Sequence, residues 1–246
     1  MDRAVATFGT VAHLYDAARP DYPARLYERL GALEGRTVVD IGAGTGIATA
    51  ELVARGAEVV AVDASPEMLA SAKARLGSLS AIVGDGARLP LRDASADCAC
   101  FAQSWHWMEK GRRVQEVARI LRTGGLWTAW WSHPRADGEV WFEQFWTIIE
   151  STCDGIDRGQ RDADWGQDLT DSGLFDLRPT VTEPWMRHVD LQTWLTDLRT
   201  QSFIAALEES RRETLLHRFA SLMDHAFPSG HVVVPYDTTL WSAVRR

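Results

Sequence analysis

Cysteine is scarce in this chain: there are three, Cys98, Cys100 and Cys153, with no Cys-x-x-Cys spacing. That excludes a disulfide framework and a cysteine-based zinc site, and no metal is expected. Cys98 and Cys100 stand two apart in an apolar run, so a strand puts both on one face as core packing. Long hydrophobic runs are missing too, since no stretch nears the roughly 18 consecutive apolar residues of a membrane helix. Met1-Asp2-Arg3-Ala4 leads into no apolar signal core, and Asp2 and Asp16 argue against an organelle presequence. A soluble, cytoplasmic protein is the expectation. Basic charge is short: 26 Lys and Arg stand against 34 Asp and Glu, a net charge of −8. Without a basic stripe, nucleic acid is a poor partner, no membrane partner is indicated, and a small molecule is the expected ligand. Internal repeats and low-complexity segments are absent.

What is present fits one globular α/β domain. The 246 residues are 46% hydrophobic and 24% charged, which leaves disordered and fibrous classes aside. Tryptophan is the excess, with 11 in all and seven between residues 105 and 146, so aromatic packing has to be weighed in any site proposed there.

Short apolar runs alternate with helical patterns over the first two thirds. Leu26, Leu30 and Leu33 predict a helix over 23–33. Thr37–Ile41 reads as a strand, followed by a helix from about Ile47 that stops at Gly56. Val59–Asp63 reads as the second strand. Ser65-Pro66-Glu67 then supplies an N-cap, a proline at the first helical position and an acid in the first turn. Ala81–Val83, residues 97–102 and Leu126–Trp131 complete the early strands, with a helix striped by Val114, Val117 and Leu121 that ends at Gly124-Gly125. Strand–helix–strand at this spacing predicts a doubly wound, mostly parallel, seven-stranded Rossmann-like sheet. Later come helical stretches at 138–152 and 191–225, a strand at about 177–187 and a last strand from Val232. The expected organisation is a single domain over 1–246. Residues 1–36 form a helical entry segment, 37–137 a cofactor-binding core and 138–246 a substrate-side region, whose insertion at 191–225 acts as a lid.

The strongest local signal is Asp40-Ile41-Gly42-Ala43-Gly44-Thr45-Gly46 between a strand and a helix. Glycines there let backbone turn sharply and approach a ligand. Ile47 stands where a dinucleotide fingerprint has its third glycine, so the loop is G-x-G-x-G and not G-x-G-x-x-G. Asp63 and Asp85 each close a strand beside this loop. One such acid reads best as a solvated strand end; two shift the reading to a nucleoside pocket at the switch point. Asp40 is expected to act indirectly, orienting loop amides.

With these motifs the sequence resembles the class I S-adenosylmethionine-dependent methyltransferases, in particular the small-molecule group of trans-aconitate methyltransferase-like proteins. The likeness is carried by Asp40–Gly46, Val62–Leu69, Gly84–Leu91, Gln103–Trp107, Arg119–Gly125 and the entry segment Tyr15–Pro23. It implies that Gly42, Ala43, Gly44 and Gly46 line the methionine part of the cofactor, and that Asp63 with Ala64 holds the ribose. By the same likeness Met68 packs on adenine, Asp85 with the amide of Gly86 or Ala87 reads its polar edge, Gln103 lines the cofactor, and Tyr15 and Arg19 close over it. Gly86 departs from the alanine frequent at that place in the family.

Methyl transfer from a sulfonium is an in-line displacement, so alignment is the enzyme's main task, and a base is needed only for an acceptor that carries a proton. His106, beyond the fourth strand, is the candidate base; the plainer reading is packing between its neighbouring tryptophans. Trp105, Trp107, Trp131 and His133 are the candidates for the acceptor wall, although most tryptophans here read as core. Arg187 and Arg199 are available for a carboxylate, with nothing to mark them out. The expected function is methylation of a small carboxylate, hydroxyl or amine acceptor, with S-adenosylhomocysteine as product. The alternatives are a non-methylating rearrangement, cyclisation or elimination on the same cofactor, a nicotinamide-dependent oxidoreductase, and a noncatalytic binding subunit.

Overall fold

Runs such as Thr37-Val38-Val39-Asp40-Ile41 are apolar at consecutive positions because both faces of their sheet are covered. A computed structural model shows how, and describes residues 18–156, 158–159 and 163–246. The elements in chain order begin with α1 (Ala24–Glu28), β1 (Thr37–Ile41), α2 (Ile47–Ala54), β2 (Glu58–Asp63), α3 (Pro66–Leu76), β3 (Ser80–Val83), β4 (Ala96–Ala102), a 3-10 turn (Trp105–Trp107), α4 (Lys110–Ile120) and β5 (Leu121–Pro134). They continue with α5 (Val140–Thr152), α6 (Gln167–Ser172), β6 (Phe175–Leu177), β7 (Val181–Asp190), α7 (Leu191–Arg199), α8 (Ser202–Ala205), α9 (Glu209–Ala226) and β8 (His231–Arg245). The strands order as β3-β2-β1-β4-β5-β8-β6, with β7 pairing β8. The β1–β2, β1–β4, β2–β3 and β4–β5 pairs are parallel and β6–β8 is antiparallel.

The chain divides into two compact units. The larger holds Asp21–Ser132, Asp164–Glu183 and Thr238–Arg246. Its sheet shows the period of two directly. Val38, Cys98, Cys100, Leu126 and Trp130 pack with Leu26, Leu30 and Leu33. Their neighbours Val39, Ala99, Phe101, Trp127 and Trp131 join another cluster with Val114 and Val117. Arg119 of α4 ties down the segment after β3, donating to the carbonyls of Leu89 (3.0 Å) and Leu91 (2.7 Å). The other unit takes the described residues among 1–20, 133–163 and 184–237. Its core is α5, α7 and α9, through Phe142, Phe145, Ile149, Trp194, Leu198, Phe219 and Met223.

Four expectations shift. The helix read over 23–33 is only Ala24–Glu28, because the chain turns at Gly31 (φ 81), yet Leu30 and Leu33 still reach the core. The helix before Gly124-Gly125 ends at Ile120, where Leu121 turns extended (φ −72, ψ 143) and pairs with Ala96. The strand read at 177–187 is two strands, β6 and β7, with Arg178-Pro179-Thr180 between them; proline has no N–H for a ladder. The described strands therefore number eight, not seven. Residues 191–225 hold three helices, α7, α8 and most of α9.

Candidate active site

In this strand order the direction of winding reverses between β1 and β4, which places a crevice at their carboxyl ends. The glycine loop follows β1, and Gln103-Ser104 follows β4. They meet closely: Ser104 Oγ donates to the carbonyl of Ile41. A Cβ on Gly42 (φ 74) would lie 2.4 Å from Ser104 Cβ, so only glycine fits. Gly44 (φ 57) has open space above it, where a ligand can lie against bare backbone.

Four of the loop's amides are engaged within the protein. Gly42 and Ala43 both donate to Val62 O (2.8 and 3.1 Å), Gly46 to Ala43 O (3.0 Å) and Gly44 to Asp63 Oδ2 (2.9 Å). A loop that cradles phosphate needs such donors free. With these four engaged, this loop offers chiefly close approach to bare backbone, which suits a short aliphatic chain better than a pyrophosphate.

Asp63, at the end of β2, accepts Gly44 N–H on one oxygen and Ser65 N–H (2.8 Å) on the other. Burial raises its carboxyl pKa while the Ser65 and Gly44 amides pull it back. Each oxygen keeps a lone pair, so two ribose hydroxyls can be received side by side. Ser65 caps α3 by accepting Met68 N–H (3.2 Å), and Met68 is buried. Asp85 is exposed and takes Ala87 N–H on Oδ1 (2.9 Å), so the Ala87 amide is already engaged. The departure at Gly86 has a steric cause: a Cβ there would meet Met108 Sδ at 2.1 Å and Ile41 Cγ2 at 2.9 Å. Gln103 holds a left-handed backbone (φ 55), uncommon outside glycine, and its N–H donates to Trp130 O (2.9 Å).

Asp40 does not orient loop amides. It is fully buried, accepts Thr49 Oγ1–H on Oδ2 (2.6 Å), and its Oδ1 has no partner among the described residues. Burial pushes its pKa up to about 6 against the restraint of the Thr49 bond, with Asp63 adding to the rise. Thr45 Oγ1, in the same loop, is buried with no hydrogen-bond partner among the described residues. An underpaired acid and hydroxyl beside the glycines, with Asp63 open to two donors, are what a cationic, hydroxyl-bearing cofactor such as S-adenosylmethionine fits.

The 3-10 turn carries His106 and Trp107 on its exposed side, while Trp105 faces inward. Trp105 is fully buried against Phe101 and Trp127, so its ring belongs to the core. Arg113 of α4 fixes the turn, donating to Trp105 O (3.0 Å), stacking 4.5 Å over its ring and pairing with Asp168 (2.5 Å). Around His106 stand Trp107 (4.7 Å between ring centres), Trp165 (5.8 Å) and Trp131 (6.0 Å). Trp131 is stacked on Trp165 (4.5 Å, 16°) and donates Nε1–H to His106 Nδ1 at 3.4 Å. His106 keeps an edge in solvent, yet the crowding of its ring by these indoles, with the Arg113 charge, lowers the imidazole pKa to about 4.

Gly42, Gly44, Asp63, Asp85, Gln103, His106 and Trp131 thus all fall within the larger unit. Arg19 and His133 fall in the other. Arg19 pairs with Asp197 (3.2 Å) and donates to Thr200 Oγ1 (3.2 Å). Tyr15 lies outside the described residues. Arg187 is buried on Asp197, and Arg199 pairs with Glu213 at the surface. The sequence reading missed Trp165, which stands in a loop without periodicity, and Arg113, whose polar character hid its burial. Among the described residues no group of three His, Cys, Asp or Glu is placed to hold a metal, and no helix is long and apolar enough to cross a membrane.

The crevice, the glycine loop and the acid at the end of β2 point to a nucleoside-cofactor enzyme of α/β class. Comparison with known proteins makes the class specific. Residues 39–128 match the methyltransferase domain family. A methyltransferase of Mycobacterium tuberculosis is 37% identical over 182 residues, covering 70% of this chain and 74% of that one. A methyltransferase structure from Anaeromyxobacter dehalogenans superposes with a TM-score of 0.69 at 23% identity, covering 92% and 97% of the two chains. Phosphoethanolamine N-methyltransferase 2 of Haemonchus contortus, solved with S-adenosylhomocysteine, has a TM-score of 0.56 at 16% identity, covering 96% of this chain and 57% of that one. The chain belongs to the class I S-adenosylmethionine-dependent methyltransferases.

Proposed function

We propose that this methyltransferase acts on a small-molecule acceptor seated against His106, Trp107 and the Trp131–Trp165 stack. When bound, S-adenosylmethionine supplies an electrophilic methyl group on a sulfonium leaving group. The protein's own part is alignment: the glycines admit the methionine chain, Asp63 with Ala64 fixes the ribose, Met68 and Asp85 flank the adenine, and the Gly86 amide is the donor for its polar edge. The aromatic wall orients the acceptor along the S–CH₃ direction and excludes water, an effect worth up to roughly 7–11 kcal/mol in well-aligned cases. The observation that carries this reading is the pairing of a loop whose glycine amides are engaged within the protein with a two-oxygen receptor at Asp63. With its glycine amides engaged, the same loop is less suited to a nicotinamide dinucleotide, whose pyrophosphate needs amide donors. The net charge of −8 weighs against a nucleic-acid acceptor.

The test begins with mass spectrometry of molecules released on denaturing fresh protein, together with titration of S-adenosylmethionine read by tryptophan fluorescence. Saturable binding and S-adenosylhomocysteine formation with a small acceptor support the proposal. Turnover of an acceptor without S-adenosylhomocysteine favours the non-methylating alternative, and release of NAD defeats the cofactor site as drawn.

A further inference from the structure

Histidine beside an acceptor is ordinarily read as a base, but the contacts around His106 point elsewhere. A neutral imidazole has one N–H and one lone pair, and a donor at one nitrogen decides which is which. Trp131 Nε1–H faces His106 Nδ1 at 3.4 Å, and an indole nitrogen can only donate. The indole is held in its plane by the Trp165 stack and by the edge of Trp241 (5.5 Å, 82°). We propose that Trp131 is a positioning residue that locks His106 as the Nε2–H tautomer, so that His106 donates a hydrogen bond to the acceptor and does not take a proton from it. The inference rests on the acceptor placement proposed above.

Protonating Nδ1 would set two N–H groups head to head, so the Trp131 contact opposes the imidazolium. The charged groups facing this ring act in the same direction or cancel. Arg113 repels a second positive charge and is paired with Asp168, while Trp107, Trp131 and Trp165 bring no charge. The consequence for specificity is direct. The acceptor's attacking atom must arrive with its lone pair already free, as an anion or an unprotonated heteroatom. The new bond to carbon forms, the S–CH₃ bond breaks, the electron pair leaves with sulfur, and His106 moves no proton.

The test needs no acceptor. Protein with ¹⁵N-labelled histidine rings is titrated by long-range ¹H–¹⁵N correlation spectroscopy, with H106Q used to assign the His106 signals among the seven histidines. The expected result is the Nε2–H pattern, with no protonation down to a pH about one unit below the ordinary value of about 6.5. W131F should mix the tautomers and raise the midpoint by about one unit. A wild-type Nδ1–H pattern, a wild-type midpoint near the ordinary value, or W131F spectra like the wild type would each overturn the proposal. Should W131F fail to fold, the wild-type titration still decides, with W165L as second variant expected to loosen the same lock. Cofactor titration reads the crevice independently of these signals, so failure of the tautomer and failure of the proposed function are told apart.

Discussion

Two aspartates among the described residues are almost wholly buried, and their charges are treated in opposite ways. Asp197 of α7 sits between Arg187 (2.5 Å) and Arg19 (3.2 Å), and Arg187 also reaches the Ala18 carbonyl (2.8 Å) and the Tyr236 hydroxyl (3.2 Å). Asp197 Oδ1 lacks a hydrogen bond but meets the Arg19 guanidinium, whereas Asp40 of β1 has one hydroxyl for company and, among the described residues, an oxygen with neither hydrogen bond nor ion pair. Burying a charge is costly unless it is paired. The first aspartate therefore holds a structure together. The second leaves a cost unmet where a cofactor is expected, and such a departure marks a site more sharply than any satisfied group does.

The largest effect should come from breaking the satisfied side. R187M strands Asp197 with Arg19 alone and frees the Ala18 carbonyl. Loss of one partner of a buried pair typically costs about 3–5 kcal/mol, so reduced soluble yield or a much lower Tm is expected. Unchanged melting would show that the pair is not a determinant of this unit. A second substitution, D197L, should then recover part of the loss.

Next in size is D63A. Removing a carboxylate that receives two hydroxyls should weaken S-adenosylhomocysteine by about 100-fold in calorimetry, at 1.5–3 kcal/mol per charged hydrogen bond. Because Asp63 also holds the Gly44 and Ser65 amides, D63N is the sharper control. It keeps the shape, and should lose affinity with less change in Tm. Equal affinity in both variants would remove the ribose from this place.

How much of this was legible beforehand follows the range of the interactions. Strands β1 to β4, the Ser65 cap and the glycine loop rest on neighbours in sequence, and their residues announce them. The end of α1 at Glu28 and the early end of α4 do not show in the apolar pattern, because Leu30, Leu33 and Leu121 are buried whether or not the helix continues. Pro179 marked the break between β6 and β7 and was visible, but a short edge strand leaves almost no periodicity. At the site, Asp63 and His106 stood out by position. The Gly44–Asp63 bond, the Trp165 stack on Trp131 and the Arg113–Asp168 pair join residues far apart in sequence, which no local pattern encodes.

D40N probes the unsatisfied side and should act in the opposite sense to R187M. With a folded pKa of about 6 against about 3.9 unfolded, native Asp40 binds more protons than the unfolded chain between those values. Its contribution to stability therefore falls as pH rises from about 4 through 6, and levels off above. Asparagine has no such titration and can still accept from Thr49. The variant should be more stable than wild type at pH 7.5 by roughly 1–3 kcal/mol, with the gap closing toward pH 4. Taking the difference between the two proteins cancels His106, whose lowered pKa acts in reverse, with stability rising as pH climbs from about 4 through 6.5. The same variant should bind cofactor more weakly, since the uncompensated charge is then absent when the sulfonium arrives. A pH-independent gap would mean that Asp40 is already neutralised by some other group.

The smallest effect should come from G86A, which separates packing from recognition. A Cβ at residue 86 would meet Met108 at its sulfur, the far end of a flexible side chain, and Ile41 at a methyl held by β1. Met108 can swing away, and the Ile41 contact at 2.9 Å needs only a small shift, so the cost should be about 1 kcal/mol, at the lower end for overpacking. If Gly86 serves only to admit Met108, G86A/M108A should restore stability and leave cofactor affinity at the wild-type value. If the Gly86 amide reads the adenine edge, the methyl tilts that amide, and the double variant should melt like wild type while still binding S-adenosylhomocysteine several-fold more weakly. The second outcome is expected, because the neighbouring Ala87 amide is already held by Asp85 and leaves Gly86 as the donor beside that acid.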